Sequence, residues 1–151
     1  MSAMQRNKGA AFERVVAREL FDRLGITFKR DLTQTQTAGK GDLVADDASW
    51  PFLIECKHCT RPDLPAWRRQ ATAAARAPKL RPCVVYRITG GPIRLSVPLS
   101  AFCDAWPDTE WAEVSLDGFC LLAREIMAEP GNWQPNDFRD LRDCLVGKDV
   151  Q

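Results

Sequence analysis

Two acids and a lysine near the middle of the chain have the residue types and spacing of a metal site. Glu55 and Lys57 stand two residues apart at the end of the apolar run 52–54, and Asp42 precedes Glu55 by thirteen residues. Side chains two residues apart in a strand project to the same face. Paired carboxylates favour a hard cation such as Mg²⁺, and a neighbouring ammonium can orient a water or balance phosphate charge.

The residues around these three predict a β-hairpin that brings them together. Residues 42–45 begin one strand, residues 46–49 supply turn formers, and residues 51–57 form the next strand. Across such a hairpin, Asp42 is expected close to Glu55 or to Lys57. Either partner would place two carboxylates beside one ammonium.

Before the hairpin, the pattern predicts an amphipathic helix and a short strand. Apolar residues at three- and four-residue spacing over residues 8–24 predict the helix, and Gly25 ends it. Residues 26–30 alternate like a strand. The polar, glycine-containing residues 31–41 are expected to form a flexible surface loop.

After the hairpin, helix formers over residues 64–77 predict a second helix, and the apolar run 83–88 predicts a buried strand. Helix, three strands, helix and strand therefore predict an α/β domain with a mixed sheet. Weaker patterns follow: a strand at 93–97, a short helix at 99–106, a strand at 111–116, a helix at 119–129 and a last helix at 136–144.

The length and composition predict one soluble globular domain, residues 1–151, because the chain is 45% hydrophobic and 27% charged. No apolar run is long enough to span a bilayer, and the first residues lack the apolar stretch of a secretory signal. The cytoplasm of a bacterial, archaeal or phage-infected cell is the expected location, with no membrane partner.

The net charge of +1 hides an uneven distribution. Residues 1–82 carry 15 Lys and Arg against 9 Asp and Glu, whereas residues 83–151 carry 6 against 11. A basic first half suggests an anionic partner such as nucleic acid, although solvated surface charges explain the count equally well.

The six cysteines are expected to be free and mostly buried thiols, since most of them lie in apolar runs. Cys56 and Cys59 form a C-x-x-C pair, and His58 is the single histidine. A structural zinc site needs about four ligands, and no second close pair follows. Zinc is therefore disfavoured.

These residues and their order resemble the PD-(D/E)xK nuclease superfamily, especially its small archaeal and phage Holliday-junction resolvase-like members. The resemblance covers about residues 7–89 and includes "NKGAAFERVVARELFDRLG", "GKGDLVA", "FLIECKH", the helix "WRRQATAAA" and the strand "CVVYRI". It implies a restriction-endonuclease-like αβββαβ core with a mixed central sheet. A C-terminal α/β extension over about residues 90–151 has no match in the family.

The resemblance implies a role for each residue at a matching position. Asp42 and Glu55 would be metal ligands together with the backbone carbonyl of Cys56, and Lys57 would be the catalytic lysine. Gln70 would touch the active site from the second helix. The implied cofactor is Mg²⁺, for which Mn²⁺ can substitute.

Two features complicate the match. Gly41 takes the place of the proline that names the motif. The first helix offers two acids, Glu13 and Glu19, and helical geometry alone does not choose between them. Glu13 is favoured as the catalytic acid and is a candidate further metal ligand, because it follows Gly9 at the spacing that the resemblance requires, although an ordinary exposed helix glutamate explains it nearly as well.

Basic residues that flank the proposed site in sequence are expected to contact DNA phosphates without reading base sequence. They are Lys8, Lys29, Arg30, Lys40, Arg61, Arg68 and Arg69. The loop 33–40 is also suited to phosphate contacts, although a plain disordered loop explains it equally well.

The favoured function is a Mg²⁺-dependent DNA endonuclease that hydrolyses phosphodiester bonds in Holliday junctions or other branched DNA. The resemblance also implies a 5′-phosphate product and a homodimer. One alternative is a non-catalytic DNA-binding or assembly protein with the same fold, against which the intact Asp42, Glu55 and Lys57 argue. Another is a restriction-type or exonucleolytic member of the superfamily.

Overall fold

The structure, a computed structural model, describes residues 3–31 and 41–128. Three α-helices and six strands lie in these ranges, together with one 3₁₀ turn (Leu99–Ala101). In chain order they are α1 (Ala3–Leu24), β1 (Phe28–Arg30), β2 (Leu43–Ala45), β3 (Phe52–Cys59), α2 (Leu64–Arg76), β4 (Arg81–Ile88), β5 (Ile93–Pro98), β6 (Trp111–Ser115) and α3 (Leu116–Ala128).

The strands form one mixed sheet in the order β1-β2-β3-β4-β5-β6. Neighbouring strands are antiparallel except β3 and β4, which are parallel and are connected through α2. A parallel pair needs such a crossover, whereas antiparallel neighbours can be joined by short turns. The predicted αβββαβ order and the mixed sheet are confirmed.

The helices cover both faces of the sheet. On one face, α1 and α3 pack on a large apolar core that contains Phe52, Ile54 and Val85, with Phe12 and Phe119 contributed by the helices. On the other face, α2 packs on a smaller cluster. Its members are Ala71, Val84, Tyr86, Leu64 and Trp67. Successive side chains of β3 project alternately towards these two layers.

Local signals explain where two of the helices begin and end. Gly25 adopts a φ of 71° after the last turn of α1, and its N–H donates to the carbonyl of Phe21 at 2.8 Å. Glycine adopts this left-handed conformation without steric cost. Asp63 caps α2 by accepting a hydrogen bond from the N–H of Ala66 at 3.2 Å, and Pro65 lies in the first turn, where a missing N–H costs nothing.

Several predicted boundaries were wrong by a few residues. Helix α1 begins at Ala3 rather than residue 8, and β3 extends to Cys59 because its parallel pairing with β4 continues to Ile88. Strand β1 begins at Phe28 rather than residue 26, and α3 begins at Leu116 rather than residue 119.

The predicted helix at residues 99–106 was wrong. Only the 3₁₀ turn forms there, with the N–H of Phe102 donating to the carbonyl of Leu99 at 3.0 Å, and the N–H of Leu99 donates to the carbonyl of Glu110 at 2.8 Å beside the pairing of β5 with β6. Phe102 and Trp106, which would have been on an apolar helix face, are exposed.

The segment predicted as an extension continues the fold up to residue 128. Strands β5 and β6 complete the sheet, and α3 packs in the same layer as α1. The predicted helix 136–144 and most of the predicted loop 31–41 lie outside the described residues, so the single domain over residues 1–151 stays a prediction. Within the described ranges, no helix has the length and apolarity needed to cross a membrane.

Candidate active site

The register of β2 and β3 places Asp42 opposite Glu55. Leu43 pairs with Ile54 in this antiparallel ladder, and the N–H of Asp42 donates to the carbonyl of Ile54 at 2.8 Å. Leu43 and Ile54 face the core under α1. Asp42, which precedes Leu43, and Glu55, which follows Ile54, therefore project to the opposite face, which α2 covers. Of the two partners predicted for Asp42, the register selects Glu55.

Asp42 is held at this position by the backbone of β3. Its Oδ2 atom accepts a hydrogen bond of 2.6 Å from the N–H of Cys56. The side chains are shielded from solvent, with Asp42 only 9% and Glu55 only 3% exposed. Carboxylates buried this deeply need a partner that compensates for lost hydration.

Gly41 permits this close approach of β2 to β3. A Cβ atom at Gly41 would lie 2.5 Å from the carbonyl oxygen of Ile54 and 3.1 Å from its nitrogen. Both are backbone atoms of the strand that carries Glu55, so they cannot move aside independently. The position that is proline in the motif thus has a steric requirement for glycine in this chain.

Three polar side chains form a closed hydrogen-bonded set next to Asp42. Nζ of Lys57 donates to Oε1 of Glu55 at 2.7 Å and to Oε1 of Gln70 at 3.0 Å. Nε2 of Gln70 donates to the same Glu55 oxygen at 2.7 Å. Strand β3 supplies Glu55 and Lys57, and α2 supplies Gln70, so packing of α2 on the sheet fixes their geometry.

The electrostatics favour a bound cation. Burial, followed by the negative charge of Asp42, raises the pKa of Glu55, while the hydrogen bond and positive charge of Lys57 lower it. The net direction is upward. A divalent cation between the two carboxylates would remove this penalty on the ionised form.

The candidate ligand set is small. Within residues 3–31 and 41–128, no group of three or more His, Cys, Asp or Glu side chains is arranged to hold a metal ion. Mg²⁺ commonly binds through one or two carboxylates and keeps several waters. Asp42 and Glu55 supply two buried carboxylates on adjoining strands, which is the number that such a site takes from a protein.

Glu13 and Glu19 have different surroundings. Glu13 forms an ion pair with Arg30 of β1, and its charge is the last of the causes that raise the pKa of Glu55. Glu19 pairs with Arg23 at 2.6 Å, and Arg23 also contacts Asp117 of α3 at 2.6 Å. Glu13 thus pairs with a strand residue that lies opposite Leu43, the neighbour of Asp42, whereas Glu19 belongs to the contact between α1 and α3.

Some of the residues predicted to contact DNA have exposed side chains, and others form contacts within the protein. Lys8, Lys29, Arg61 and Arg69 are exposed. Arg30 is half-buried and pairs with Glu13. Lys40 lies outside the described residues.

Arg68 is engaged within the protein and is not brought to the candidate site. Its Nε donates to the hydroxyl of buried Ser96 at 3.0 Å, and its guanidinium lies 5.5 Å from the ring centroid of Trp111. These contacts tie α2 to β5 and β6. The predicted role of Arg68 in DNA binding stays a prediction without support from its position.

The C-x-x-C pair does not form a chelating site. Cys56 and Cys59 are three residues apart in β3, so their side chains project to opposite faces of the sheet. That zinc is disfavoured stays a prediction. The thiols are less uniformly buried than expected, since Cys103 is exposed.

Sequence reasoning missed two features beside the acids: the steric role of Gly41 and the ion pair between Glu13 and Arg30. The unusual glycine at the motif position was a signal for the first. The ion pair between Glu13 and Arg30 had no signal in the sequence, because it depends on how α1 packs against β1.

An αβββαβ core with two acids and a lysine at adjoining strands is the arrangement of the PD-(D/E)xK nucleases. A family model described as "Phage putative PDDEXK endonuclease" matches residues 4–139. Since the match spans most of the chain, the protein belongs to this family of endonucleases. The predicted restriction-endonuclease-like fold class is confirmed with it.

Among solved structures, a Holliday junction resolvase from the archaeal hyperthermophile Archaeoglobus fulgidus is similar to this chain. The sequence identity is 17%, the TM-score is 0.47, and the match covers 80% of this chain and 96% of that chain. A similarity with this TM-score and identity carries no argument about substrate or assembly. A comparison with curated protein sequences gave no significant match.

Proposed function

We propose that the protein is a divalent-metal-dependent endodeoxyribonuclease that hydrolyses phosphodiester bonds, with Mg²⁺ as its cofactor and Mn²⁺ as a substitute. The observation that supports this most is the environment of Glu55. This buried carboxylate lies opposite a second acid, Asp42, and shares hydrogen bonds with Lys57 and Gln70. An ion pair of structural value alone would not require a second acid opposite the first.

The proposed metal ligands are Asp42, Glu55 and the backbone carbonyl of Cys56. Within a strand, the N–H and C=O of one residue point to the same side. Because the N–H of Cys56 donates to Asp42, its carbonyl is directed to the same edge of β3. The described hydrogen bonds use one oxygen of each carboxylate, so the other oxygen of each remains for the ion.

The remaining residues would position the reacting groups. A bound divalent ion supplies charge for the phosphate oxygens and makes a water more acidic. Lys57 is 23% exposed, so its ammonium reaches the surface where a phosphate or attacking water would lie. Gln70 accepts from Lys57 and donates to Glu55, which fixes the direction of both side chains.

We further propose that the substrate is a Holliday junction or other branched DNA, cut by a homodimer in the cytoplasm. The sequence resemblance to the small resolvase-like nucleases supports this substrate and assembly. Two copies of one site would allow paired strands to be cut. Light scattering of the purified full chain would test the dimer.

The experiment that tests the proposal is cleavage of end-labelled four-way junctions and linear duplexes of the same sequence, in Mg²⁺ and in EDTA. We expect Mg²⁺-dependent cutting that favours the junction, and a loss of about 10²–10⁴-fold in Lys57→Ala. Glu125→Gln, a surface change on α3, is the control and should cut normally. Equal cleavage by wild type and Lys57→Ala would contradict the proposal.

The same assay separates the rival functions. Stepwise shortening of the labelled linear duplex would indicate an exonuclease, and a fixed cut in it would indicate a restriction-type enzyme. A non-cleaving binder would bind DNA but show no Mn²⁺ uptake in calorimetry that depends on Asp42 and Glu55.

A further inference from the structure

A basic cluster lies on the face of the sheet opposite the candidate metal site. The parallel register of β3 and β4 pairs His58 with Arg87. Both follow residues that project towards α2, namely Lys57 and Tyr86, so both project towards α1. The ring of Phe12 in α1 lies 5.4 Å from the ring of His58, between centroids. The guanidinium carbon of Arg87 lies 5.5 Å from the centroid of the same Phe12 ring.

Lys8 completes this cluster from α1, one helical turn before Phe12. Burial, then the positive charges of Lys8 and Arg87, lower the pKa of His58. Because Lys8 and Phe12 are four residues apart in α1, Lys8 lies on the same helix face as the ring that contacts both His58 and Arg87. Three basic side chains from α1, β3 and β4 thus converge on one place.

The charge of the cluster is not compensated within the described protein. No carboxylate of residues 3–31 and 41–128 forms an ion pair with Lys8, His58 or Arg87. Nε of Arg87 is buried and has no hydrogen-bond partner in those ranges. An uncompensated charge that is half-buried is costly, and an anion at the guanidinium would offset that cost.

The cluster adjoins the proposed catalytic residues along the chain, although it lies on the other face of the sheet. His58 directly follows Lys57 in β3, and Lys8 shares α1 with Glu13. DNA lying across the Asp42 and Glu55 edge would bring a neighbouring phosphate to this side of the sheet. Arginine stacked on an aromatic ring, as Arg87 is on Phe12, suits phosphate recognition because its planar donors are preset.

We propose that Lys8, His58 and Arg87 form a binding site for a backbone phosphate of DNA, adjacent to the bond that is cut. The choice of DNA as the ligand rests on the proposed function. Lys8 and Arg87 would supply positive charge, and His58 would supply a hydrogen bond. The contact would add affinity without reading base sequence.

The test is the salt dependence of junction binding in EDTA, where metal-dependent cleavage does not occur. We expect Arg87→Gln and Lys8→Gln each to reduce the slope of log affinity against log salt by about 0.9. Each variant would then lose about 3.5-fold less affinity than wild type between 50 and 200 mM salt. Arg87→Lys, which keeps the charge, should keep the wild-type slope. Arg18→Gln, an exposed change on α1, is the matched control.

A second measurement locates the contact. His58 is the only histidine of the chain, so its ring-proton NMR signal is unambiguous in protein without a histidine tag. At constant pH, DNA should shift this signal in wild type and much less in Arg87→Gln. An unshifted signal in the DNA-bound wild type would overturn the inference.

The outcomes are distinct from those of the proposed function. Wild-type slopes in both Arg87→Gln and Lys8→Gln, or no DNA binding by the wild type, would overturn the phosphate site. Reduced slopes in a protein that does not cleave would support the phosphate site and contradict the endonuclease. If Arg87→Gln fails to fold, exposed Lys8→Gln still decides the result.

Discussion

Lys57 and Glu55 are two residues apart on one face of β3, and a hydrogen bond of 2.7 Å joins Nζ of the lysine to Oε1 of the acid. The same oxygen accepts a hydrogen bond from Gln70 at 2.7 Å. The amine and the acid therefore position each other, and α2 positions both. Their geometry depends on packing between the sheet and α2 as much as on the motif.

Gln70→Ala is expected to lower the cleavage rate by about 10–100-fold, because Gln70 orients both Lys57 and Glu55. The change also removes a hydrogen bond to the buried Glu55 carboxylate, so the free energy of unfolding should fall by about 1–3 kcal/mol. Single-turnover rates over a series of Mg²⁺ concentrations, together with thermal melts, measure both effects. A rate equal to that of wild type would show that Lys57 is positioned without Gln70.

Gly41→Pro, which restores the motif residue, is expected to impair the protein. The added Cβ would lie 2.5 Å from the carbonyl oxygen of Ile54, and overpacking of this kind typically costs about 1–3 kcal/mol. Gly41→Ala should act in the same direction. Urea denaturation measures the loss of unfolding free energy, and the cleavage assay measures the displacement of Asp42.

Gly9→Ala is the control for this steric argument. A Cβ atom at Gly9 meets nothing within 4 Å, and the residue lies within α1. Alanine in a helix is favoured over glycine, so stability should rise by about 0.5–1 kcal/mol. Stabilisation by Gly41→Pro would contradict the close approach of β2 and β3.

Glu55→Gln is expected to raise the melting temperature of the metal-free protein at neutral pH. The pKa of Glu55 in the folded state lies above the ordinary value of 4.5. Because the folded state disfavours ionisation of this carboxyl, the free energy of unfolding falls as pH rises from the unfolded-state pKa to the folded-state pKa. The loss of stability persists at every higher pH. The difference from wild type should therefore vanish below about pH 4.5.

At neutral pH, added Mg²⁺ should make the melting temperature of the wild type higher than that of Glu55→Gln. The ion stabilises the wild type because it binds the folded state, whereas Glu55→Gln loses a proposed ligand. Melts with and without Mg²⁺ measure the reversal, and Glu125→Gln should follow the wild type throughout. A wild-type melting temperature that does not change when Mg²⁺ is added would contradict metal binding at Glu55.

Glu13→Gln and Glu19→Gln form a matched pair on α1. Glu13→Gln is expected to reduce cleavage by about tenfold or more, since it removes the partner of Arg30 and a charge that acts on Glu55. Glu19→Gln should keep the cleavage rate and lose less than about 1 kcal/mol of stability with its pair to Arg23. A larger rate effect of Glu19→Gln would reverse the assignment.

The order of elements in the core could be predicted from the sequence because its longer elements have local signals. Apolar spacing in α1 and the continuous apolar runs of β3 and β4 indicate helix and buried strands without reference to the rest of the chain. Alternation along β3 likewise placed Glu55 and Lys57 on one face. The segment after β5 lacked such a signal, and there a turn was mistaken for a helix.

The finer features of the site depend on register and packing, which composition does not reveal. The choice of Glu55 as the partner of Asp42 follows from pairing between Leu43 and Ile54. The meeting of His58 and Arg87 follows from the parallel register of β3 and β4, which are joined through α2. Local periodicity does not determine pairings between distant strands.

Asp42 and Glu55 are proposed to share one divalent ion. The most direct measurement is anomalous diffraction from crystals of the full chain soaked in Mn²⁺, for wild type and Asp42→Asn. We predict one manganese peak within coordination distance of both carboxylates in wild type, and its loss in Asp42→Asn. A peak elsewhere, or one at this place that persists in Asp42→Asn, would contradict the claim.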